Sequence, residues 1–186
     1  MRLEEYMRKR DFDATPEPMG ARGNHDVSIF VVQEHHASHL HWDFRLSLNG
    51  ILRSWAVPKG IPDDVGVKHL AVETEDHPIE YADFEGEIPE GRYGAGKVEI
   101  WDKGEYNLLE KEEGKIVISL EGKKLKGKFA LIRFGGREKE KKNWLIMKLS
   151  GSSTERSRTL EVQEDHPGLE EKGEVTKNGD REEKIQ

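Results

Sequence analysis

The stretch from Gln33 to Leu46 constrains the fold more than any other part of the chain. From His39 onward, polar and apolar residues alternate strictly, which is the period of a β-strand whose side chains point to two faces. A strand of this kind buries its apolar face, which here carries Leu40, Trp42, Phe44 and Leu46. The opposite, solvent-facing side carries His39, His41, Asp43 and Arg45. A half-buried strand needs polar residues on its outer face, but it does not need two imidazoles, a carboxylate and a guanidinium in one row.

This polar row has the chemistry of a metal site beside a phosphate-binding group. Neighbours on one strand face have Cα atoms roughly 6.6 Å apart, so His41 and Asp43 can converge on one ion. A third ligand must come from elsewhere, and His35 is the best candidate because residues 37–38 can fold the chain back alongside the strand. Arg45 lies one step further along the same face, where its planar fork can hold phosphate oxygens.

The alternative is a solvent-facing strand whose histidines are incidental. Four of the eight histidines of the chain lie between positions 35 and 41, which makes this alternative less attractive. Two imidazoles, one carboxylate and an adjacent arginine instead indicate a divalent-metal site that acts on a phosphate ester.

Composition excludes several other classes of protein. The 186 residues include no cysteine, which excludes a disulfide framework, a zinc ribbon and a cysteine nucleophile and suits a reducing cytosol. No apolar run approaches the ~20 residues of a membrane span, and charged residues follow Met1 where a signal peptide would be apolar. The net charge of −7 argues against a nucleic-acid coat protein, but not against an enzyme with local positive charge. We therefore expect a soluble, cytoplasmic protein with no membrane partner.

Many short strands joined by glycine turns predict a mainly β fold. Besides 39–48, β-branched and aromatic runs predict strands at 27–34, 51–57, 69–74, 97–101, 105–109, 115–120, 126–134 and 143–149. Asn49-Gly50 predicts a hairpin and Asp102-Lys103-Gly104 a turn. With little helix between the strands, the pattern favours a central antiparallel β-barrel, closed or nearly closed, with short flanking helices, one of them within residues 1–10. We expect one domain at 1–150, including an N-terminal arm at 1–26, and a polar tail at 151–186.

Other candidate residues each have a plainer interpretation. Lys59, in the loop after a predicted strand, is either a phosphate contact or a solvated turn lysine. His77 and Tyr81 lie beside several carboxylates and either supply acid–base or phosphate contacts or belong to a surface loop. The glycines of residues 86–96 do not have the spacing of a phosphate-binding loop and indicate a bent connection.

Taken in order, these motifs resemble the phosphoesterase module of bacterial ligase D, the multidomain ligase of non-homologous end joining, which also has stand-alone relatives. The resemblance covers about residues 8–150 and rests on Arg10-Asp11-Phe12, Gln33-Glu34-His35, Ser38 to Arg45, Ser54 to Gly60, Glu75-Asp76-His77-Pro78 with Tyr81, and Phe84-Glu85-Gly86 through Tyr93-Gly94-Ala95-Gly96.

The resemblance implies a manganese-dependent hydrolase that heals the 3′ ends of DNA or RNA. Such enzymes act on a primer–template with a terminal ribonucleotide, remove the ribonucleoside as phosphodiesterases, and then remove the 3′-phosphate as phosphomonoesterases to leave a 3′-OH. By this likeness Mn²⁺, or another divalent transition metal, is held by His35, His41 and Asp43. Arg45 and His77 hold or protonate the phosphate, and Gln33 orients a ligand. The implied supporting positions are Tyr81, Lys59, Arg10, Asp11, Glu17 and Glu75.

Two departures from the family pattern matter. Many relatives carry an arginine just before the Leu-Ala-Val strand, where this chain has Lys68-His69, so we expect a weaker phosphate pocket in the monoesterase step. We expect no polymerase or ligase module beside this one, so any link to end joining would run through separate ligase, polymerase and Ku-type proteins.

Two rival functions stay open at this point. His41 and Asp43 with a distant His77 also fit the two-His-one-carboxylate pattern of non-haem iron oxygenases, although that leaves Arg45 and His35 without roles. Oxygen consumption with Fe²⁺ and a keto acid would indicate this function. A non-catalytic nucleic-acid-binding barrel would bind ends despite chelation and make no product, and the acidic net charge disfavours it.

Overall fold

The computed structural model describes residues 3–20, 27–135 and 142–151, and these residues form a mainly β structure, as predicted. They include a short helix α1 (Glu4–Arg8) and a 3-10 helix (Ile79–Asp83). The strands are β1 (Ile29–His36), β2 (Leu40–Leu48), β3 (Ile51–Val57), β4 (Lys68–Glu73), β5 (Gly86–Ile88), β6 (Gly96–Glu112), β7 (Lys115–Gly122), β8 (Lys126–Arg133) and β9 (Asn143–Lys148). The predicted tail at 151–186 lies outside the described residues, apart from residue 151.

Eight of these strands close into an antiparallel barrel. The sheet runs in the order β1-β2-β3-β4-β9-β8-β7-β6, and β1 also pairs with β6. Closure satisfies the backbone groups that an open sheet leaves unpaired at its edges. The ninth strand, β5, adds to β6 beyond the point of closure. The predicted barrel is therefore confirmed, whereas the connection predicted for residues 86–96 begins with this short strand.

The hairpin predicted at Asn49-Gly50 is confirmed. Leu48 pairs directly with Ile51, which leaves a two-residue turn between β2 and β3. Both turn residues have positive φ angles, 53° and 78°. This is the backbone conformation that the Asn-Gly sequence favours in tight hairpins.

The turn predicted at residues 102–104 is wrong, because β6 runs without interruption from Gly96 to Glu112. The Asp102 carboxylate is buried and accepts hydrogen bonds from the backbone N–H groups of residues 103, 123, 124 and 125. It therefore fastens the neighbouring β7–β8 turn to β6. Gly104 lies where a Cβ would be 2.2 Å from the carbonyl oxygen of Glu121, so glycine serves the close approach of two strands here.

Both faces of the β1–β2 region are covered. Phe30, Phe44, Leu46 and Trp55 belong to a large buried cluster that fills the barrel. A second buried cluster lies on the outer face, where Tyr6 of α1 and Tyr81 of the 3-10 helix pack with Val31, Leu52 and Phe84. The site described below lies on this outer face, beneath the N-terminal arm and the segment that contains the 3-10 helix.

This cover corrects the prediction of a solvent-facing polar row. Asp43 and Arg45 are only 6% and 3% exposed, because the arm and the segment after β4 lie over their face of β2. At the other end of the strand, Leu40 is 44% exposed, although the alternation predicts it buried.

Among the described residues, no helix has the length and apolar character needed to cross a membrane.

Candidate metal centre

Strand register brings the three predicted metal ligands together. His35 of β1 is the direct antiparallel partner of His41 of β2, and Asp43 lies two residues further along β2 on the same face. The two imidazole rings are 4.7 Å apart between centroids. One ligand atom from each of the three side chains lies within 4.8 Å of the other two. A single ion can therefore reach all three, as predicted from the sequence with His35 as the third ligand.

Backbone carbonyls orient both imidazoles. The Nε2 atom of His35 lies 2.9 Å from the carbonyl oxygen of Gly94, and the Nδ1 atom of His41 lies 2.9 Å from that of His39. If these nitrogens carry the protons and donate to the carbonyls, His35 Nδ1 and His41 Nε2 are left as acceptors. Those two atoms lie 3.6 and 3.7 Å from the Asp43 carboxylate. Histidine metal ligands in proteins are oriented in this way.

The donor set fits a divalent transition metal. Two imidazole nitrogens and one carboxylate oxygen suit first-row ions better than they suit Mg²⁺, which favours oxygen ligands throughout. Burial raises the pKa of the Asp43 carboxyl, but Arg45 and the two imidazoles outweigh this effect, so the pKa lies below its ordinary value. Asp43 is therefore ionised and available as a ligand at neutral pH.

Arg45 is held in place by three acceptors around its guanidinium group. Its Nε donates to Gln33 at 2.7 Å, its Nη1 to Ser54 at 2.8 Å and its Nη2 to Asp43 at 3.0 Å. Gln33 is fixed in turn, because its amide donates to two backbone carbonyls at residues 81 and 84. The guanidinium group thus ties the carboxylate ligand to the wall of a cavity of about 190 Å³, which Arg45 also lines.

His77 lies between two guanidinium groups on the same cavity wall. Its Nδ1 is 2.9 Å from the carbonyl oxygen of Glu75 and 3.0 Å from Arg45 Nη1, and its Nε2 is 3.3 Å from Arg10 Nη2. Burial, followed by the charges of Arg45 and Arg10, holds the pKa of His77 well below its ordinary value. The ring is therefore neutral at pH 7. The Glu75 carbonyl and the Arg10 donor favour a proton on Nδ1 and a lone pair on Nε2, and in that form the approach of Arg45 Nη1 to Nδ1 is not a hydrogen bond.

The N-terminal arm contributes Arg10 to the same cavity. Arg10 Nη1 donates to Glu75 at 2.9 Å and its Nε to Glu17 at 3.0 Å, while the Tyr81 hydroxyl donates to Glu17 at 3.1 Å. Burial raises the pKa of Glu75, but hydrogen bonds led by that of Arg10 outweigh burial and lower it. Burial raises the pKa of Tyr81, which is therefore a neutral hydroxyl at pH 7.

The structure does not bring every predicted residue to this cavity. Lys59 is exposed in the turn after β3 and does not line the cavity. Asp11 lies in an adjoining groove, where it pairs with Arg92 at 2.8 Å. Glu17 lines that groove and reaches the cavity only through Arg10 and Tyr81. Lys68 and His69 also lie outside the cavity lining.

Six residues that line the cavity were not predicted to be site residues, and they are Ala37, Ala56, Thr74, Ile88, Tyr93 and Gly94. The Thr74 hydroxyl is buried and has no hydrogen-bond partner among the described residues. Tyr93 lines the cavity and contacts Glu75 through its hydroxyl. Gly94 supplies the carbonyl that orients His35. Tyr93 and Gly94 belong to one of the family motifs, whereas nothing in the local sequence singles out Thr74.

Comparisons with known proteins agree with the geometry. Residues 33–133 match the family described as the DNA Ligase D 3'-phosphoesterase domain. The chain is 46% identical over 161 residues to the multifunctional non-homologous end joining DNA repair protein LigD of Mycobacterium tuberculosis, which covers 83% of this chain and 21% of the relative. It is 46% identical over 173 residues to the corresponding LigD of Pseudomonas aeruginosa, which covers 89% and 20%. The chain thus spans about a fifth of the length of these curated relatives.

Proposed function

The chain belongs to the DNA ligase D 3'-phosphoesterase domain family, and we propose that it is a metal-dependent hydrolase that heals the 3′ ends of nucleic acids. It would remove a terminal 3′ ribonucleoside as a phosphodiesterase and then the remaining 3′-phosphate as a phosphomonoesterase, leaving a 3′-OH. The observation that carries the proposal is the convergence of His35, His41 and Asp43 beside two guanidinium groups in one cavity.

The ligand set would be His35 Nδ1, His41 Nε2 and a carboxylate oxygen of Asp43, with Mn²⁺ or another divalent transition metal as the ion. When bound, such an ion supplies Lewis-acid stabilisation of the negative charge on a phosphate oxygen. Arg45 holds Asp43 in its ligating position and contributes positive charge to the same wall.

Arg10 and Arg45 bring two guanidinium groups to the cavity where a substrate phosphate would bind. Both guanidinium groups are buried, at 5% and 3% side-chain exposure, so solvent screens their charge weakly. Preorganised charge of this kind favours the additional negative charge of a phosphoryl-transfer transition state. Glu75 and Glu17 fix the orientation of Arg10, which makes them positioning residues in this proposal.

His77 would act as a proton carrier only after the substrate binds. In the free protein its Nε2 faces Arg10 as a neutral acceptor, because two cations disfavour the imidazolium form. A phosphate anion between these cations offsets their charge and raises the affinity of the ring for a proton. His77 can then donate that proton to the leaving oxygen, as general acid catalysis requires.

The iron-oxygenase alternative takes His77 as its third metal ligand beside His41 and Asp43, but both ring nitrogens of His77 already face Arg10, Arg45 and the Glu75 carbonyl. Its reaction gives no role to the buried guanidinium groups of Arg10 and Arg45, whereas a phosphate ester uses both. Family membership also favours phosphoester hydrolysis, because the family is described as a 3'-phosphoesterase domain. A non-catalytic binding barrel would not require the orientation of two imidazoles toward one carboxylate.

The test is a labelled primer–template that ends in one ribonucleotide, incubated with Mn²⁺ and, separately, with a chelator. We expect loss of the ribonucleoside followed by loss of the 3′-phosphate, with both steps dependent on the metal. His41→Ala should abolish both steps, while His39→Ala, which alters an exposed imidazole of the same hairpin, should retain them. Products that form equally well in the chelator, or with His41→Ala, would refute the assignment.

The proposed partners are DNA or RNA 3′ ends and separate ligase, polymerase and Ku-type end-joining proteins. The support is the role of the LigD relatives in non-homologous end joining. Co-purification of a tagged chain with a Ku-type protein on DNA ends would test this part.

A further inference from the structure

A second concave surface adjoins the metal-centred cavity. This surface, the Arg92 groove, has a volume of about 240 Å³ and is lined by Arg8, Lys9, Arg10, Arg92, Tyr93 and Asp11, among others. Arg10 and Tyr93 also line the cavity that holds His35, His41 and Asp43. The two concavities therefore share a wall, and an extended ligand can occupy both.

The charge of the Arg92 groove is opposite to that of the chain. Four cationic side chains line it against two carboxylates, Asp11 and Glu17, whereas the whole chain has a net charge of −7. Arg8 is exposed and makes no ion pair within residues 3–20, 27–135 and 142–151. Arg92 is 43% exposed and pairs with Asp11, which is 48% exposed. Both arginines are therefore accessible to an anion from solution.

An exposed aromatic ring stands beside these cations. Tyr93 is 49% exposed, and its hydroxyl lies 3.4 Å from Glu75 and 3.1 Å from Lys9. The Lys9 ammonium group also lies 4.3 Å from the ring centroid. Exposed aromatic rings interleaved with cations are the usual means by which proteins bind single-stranded nucleic acid, through base stacking and phosphate contacts.

We propose that the Arg92 groove binds the polynucleotide strand on the 5′ side of the scissile phosphate, with upstream phosphates at Arg8 and Arg92 and a base against Tyr93. This inference rests on the proposed function for the identity of the strand. The chemistry selects the upstream strand, because the departing 3′-terminal ribonucleoside carries no phosphate beyond the scissile one. A cationic groove would give that leaving group nothing to bind.

The test compares two substrates that differ only in upstream strand. One is a deoxynucleoside 3′-phosphate, which has no upstream phosphate for Arg8 and Arg92, and the other is a single-stranded 12-mer with the same 3′-phosphate end. The measured quantity is the ratio of kcat/KM for the 12-mer to that for the mononucleotide. Arg8→Ala combined with Arg92→Ala should lower this ratio about tenfold and reduce the slope of log affinity against log salt by about 1.4 for two lost contacts.

Matched variants distinguish the loss of cations in the Arg92 groove from the loss of cations elsewhere on the surface. Lys123→Ala with Lys126→Ala removes two exposed cations near the β7–β8 turn and should leave the ratio unchanged. Arg8→Ala alone disturbs no contact of Asp11, so a lowered ratio in this variant cannot arise from release of that carboxylate. Tyr93→Leu should lower the ratio and Tyr93→Phe should retain it, because stacking needs the ring rather than the hydroxyl.

The outcomes distinguish this inference from the proposed function. If the wild-type protein processes the substrates and the arginine variants keep the wild-type ratio, the groove assignment is overturned and the hydrolase assignment stands. If no divalent metal supports turnover, fluorescence anisotropy of a 3′-OH 12-mer in chelator decides the groove alone. Weaker binding by the arginine variants then supports it, and equal binding overturns it.

Discussion

Arg45→Lys keeps the positive charge at the candidate metal centre but removes the planar guanidinium group, whose nitrogens donate in several directions. Arg45 donates to Gln33, Ser54 and Asp43 from three different nitrogens. The lysine ammonium is a single point on a flexible stem, so it cannot reach acceptors that surround a guanidinium group. We expect it to keep the charged partner, Asp43, and to lose the other two.

The expected loss follows from these two hydrogen bonds. A hydrogen bond to a charged group contributes about 1.5 kcal/mol at the lower end of its range, so two of them amount to about 3 kcal/mol. If that energy orients the site in the transition state, kcat/KM falls about 10²-fold. Because the carboxylate retains a cationic neighbour, we expect Mn²⁺ affinity to fall by no more than about tenfold.

The assay measures kcat/KM on the ribonucleotide-ended primer at saturating Mn²⁺, with the metal dissociation constant from calorimetry. Arg53→Lys is the matched control, since Arg53 lies in β3, pairs with Glu73 and packs near Trp55 and Trp144 outside the cavity. It should stay within about twofold of wild type on the same scale. Arg45→Lys activity within threefold of wild type, or full recovery at higher Mn²⁺, would refute the role assigned to the fork.

Four further predictions concern stability and metal binding. Below about pH 6.5, His77 gains a proton in the unfolded chain, whereas the buried ring of the folded protein stays neutral, so the free energy of unfolding falls as the pH drops. His77→Asn removes this effect, so between pH 6.5 and 5 the slope of the free energy of unfolding against pH, measured in urea, should decrease by up to about 1.4 kcal/mol per pH unit. Asp102→Ala orphans four backbone N–H groups and should cost about 3 kcal/mol in urea unfolding without changing Mn²⁺ affinity. Gly96→Ala places a Cβ 2.3 Å from the His36 carbonyl, so both thermal stability and Mn²⁺ affinity should fall, and an unchanged affinity would separate this contact from the site. Mn²⁺ at 100 times its dissociation constant should stabilise the wild-type protein by about 2.7 kcal/mol, and His41→Ala should abolish this gain in a thermal-shift assay.

Local sequence was sufficient for the parts of the site that lie on one strand or one hairpin. The alternation from His39 placed His41, Asp43 and Arg45 on a common face, and the register of the β1–β2 hairpin confirms that His35 reaches them. The Asn-Gly turn was predictable because its backbone conformation is a property of two residues.

Other local signals misled where tertiary contacts outweighed them. The sequence Asp102-Lys103-Gly104 predicts a turn. In the structure the Asp102 carboxylate instead accepts hydrogen bonds from N–H groups of the β7–β8 hairpin, and β6 continues through these residues. Lys59, which the resemblance assigns a supporting role, is exposed outside the cavity lining, and its role stays a prediction. Strand pairing and burial depend on residues far apart in the chain, which no local pattern encodes.

The sequence by itself determined the barrel class and the common strand face of the candidate metal ligands His41 and Asp43, because side-chain periodicity is a local property. Only the tertiary structure decided that this face is covered by the N-terminal arm, which buries Arg45 and sets Arg10 against His77. That cover is what lowers the pKa of His77, since burial and neighbouring charge arise only when distant segments pack together.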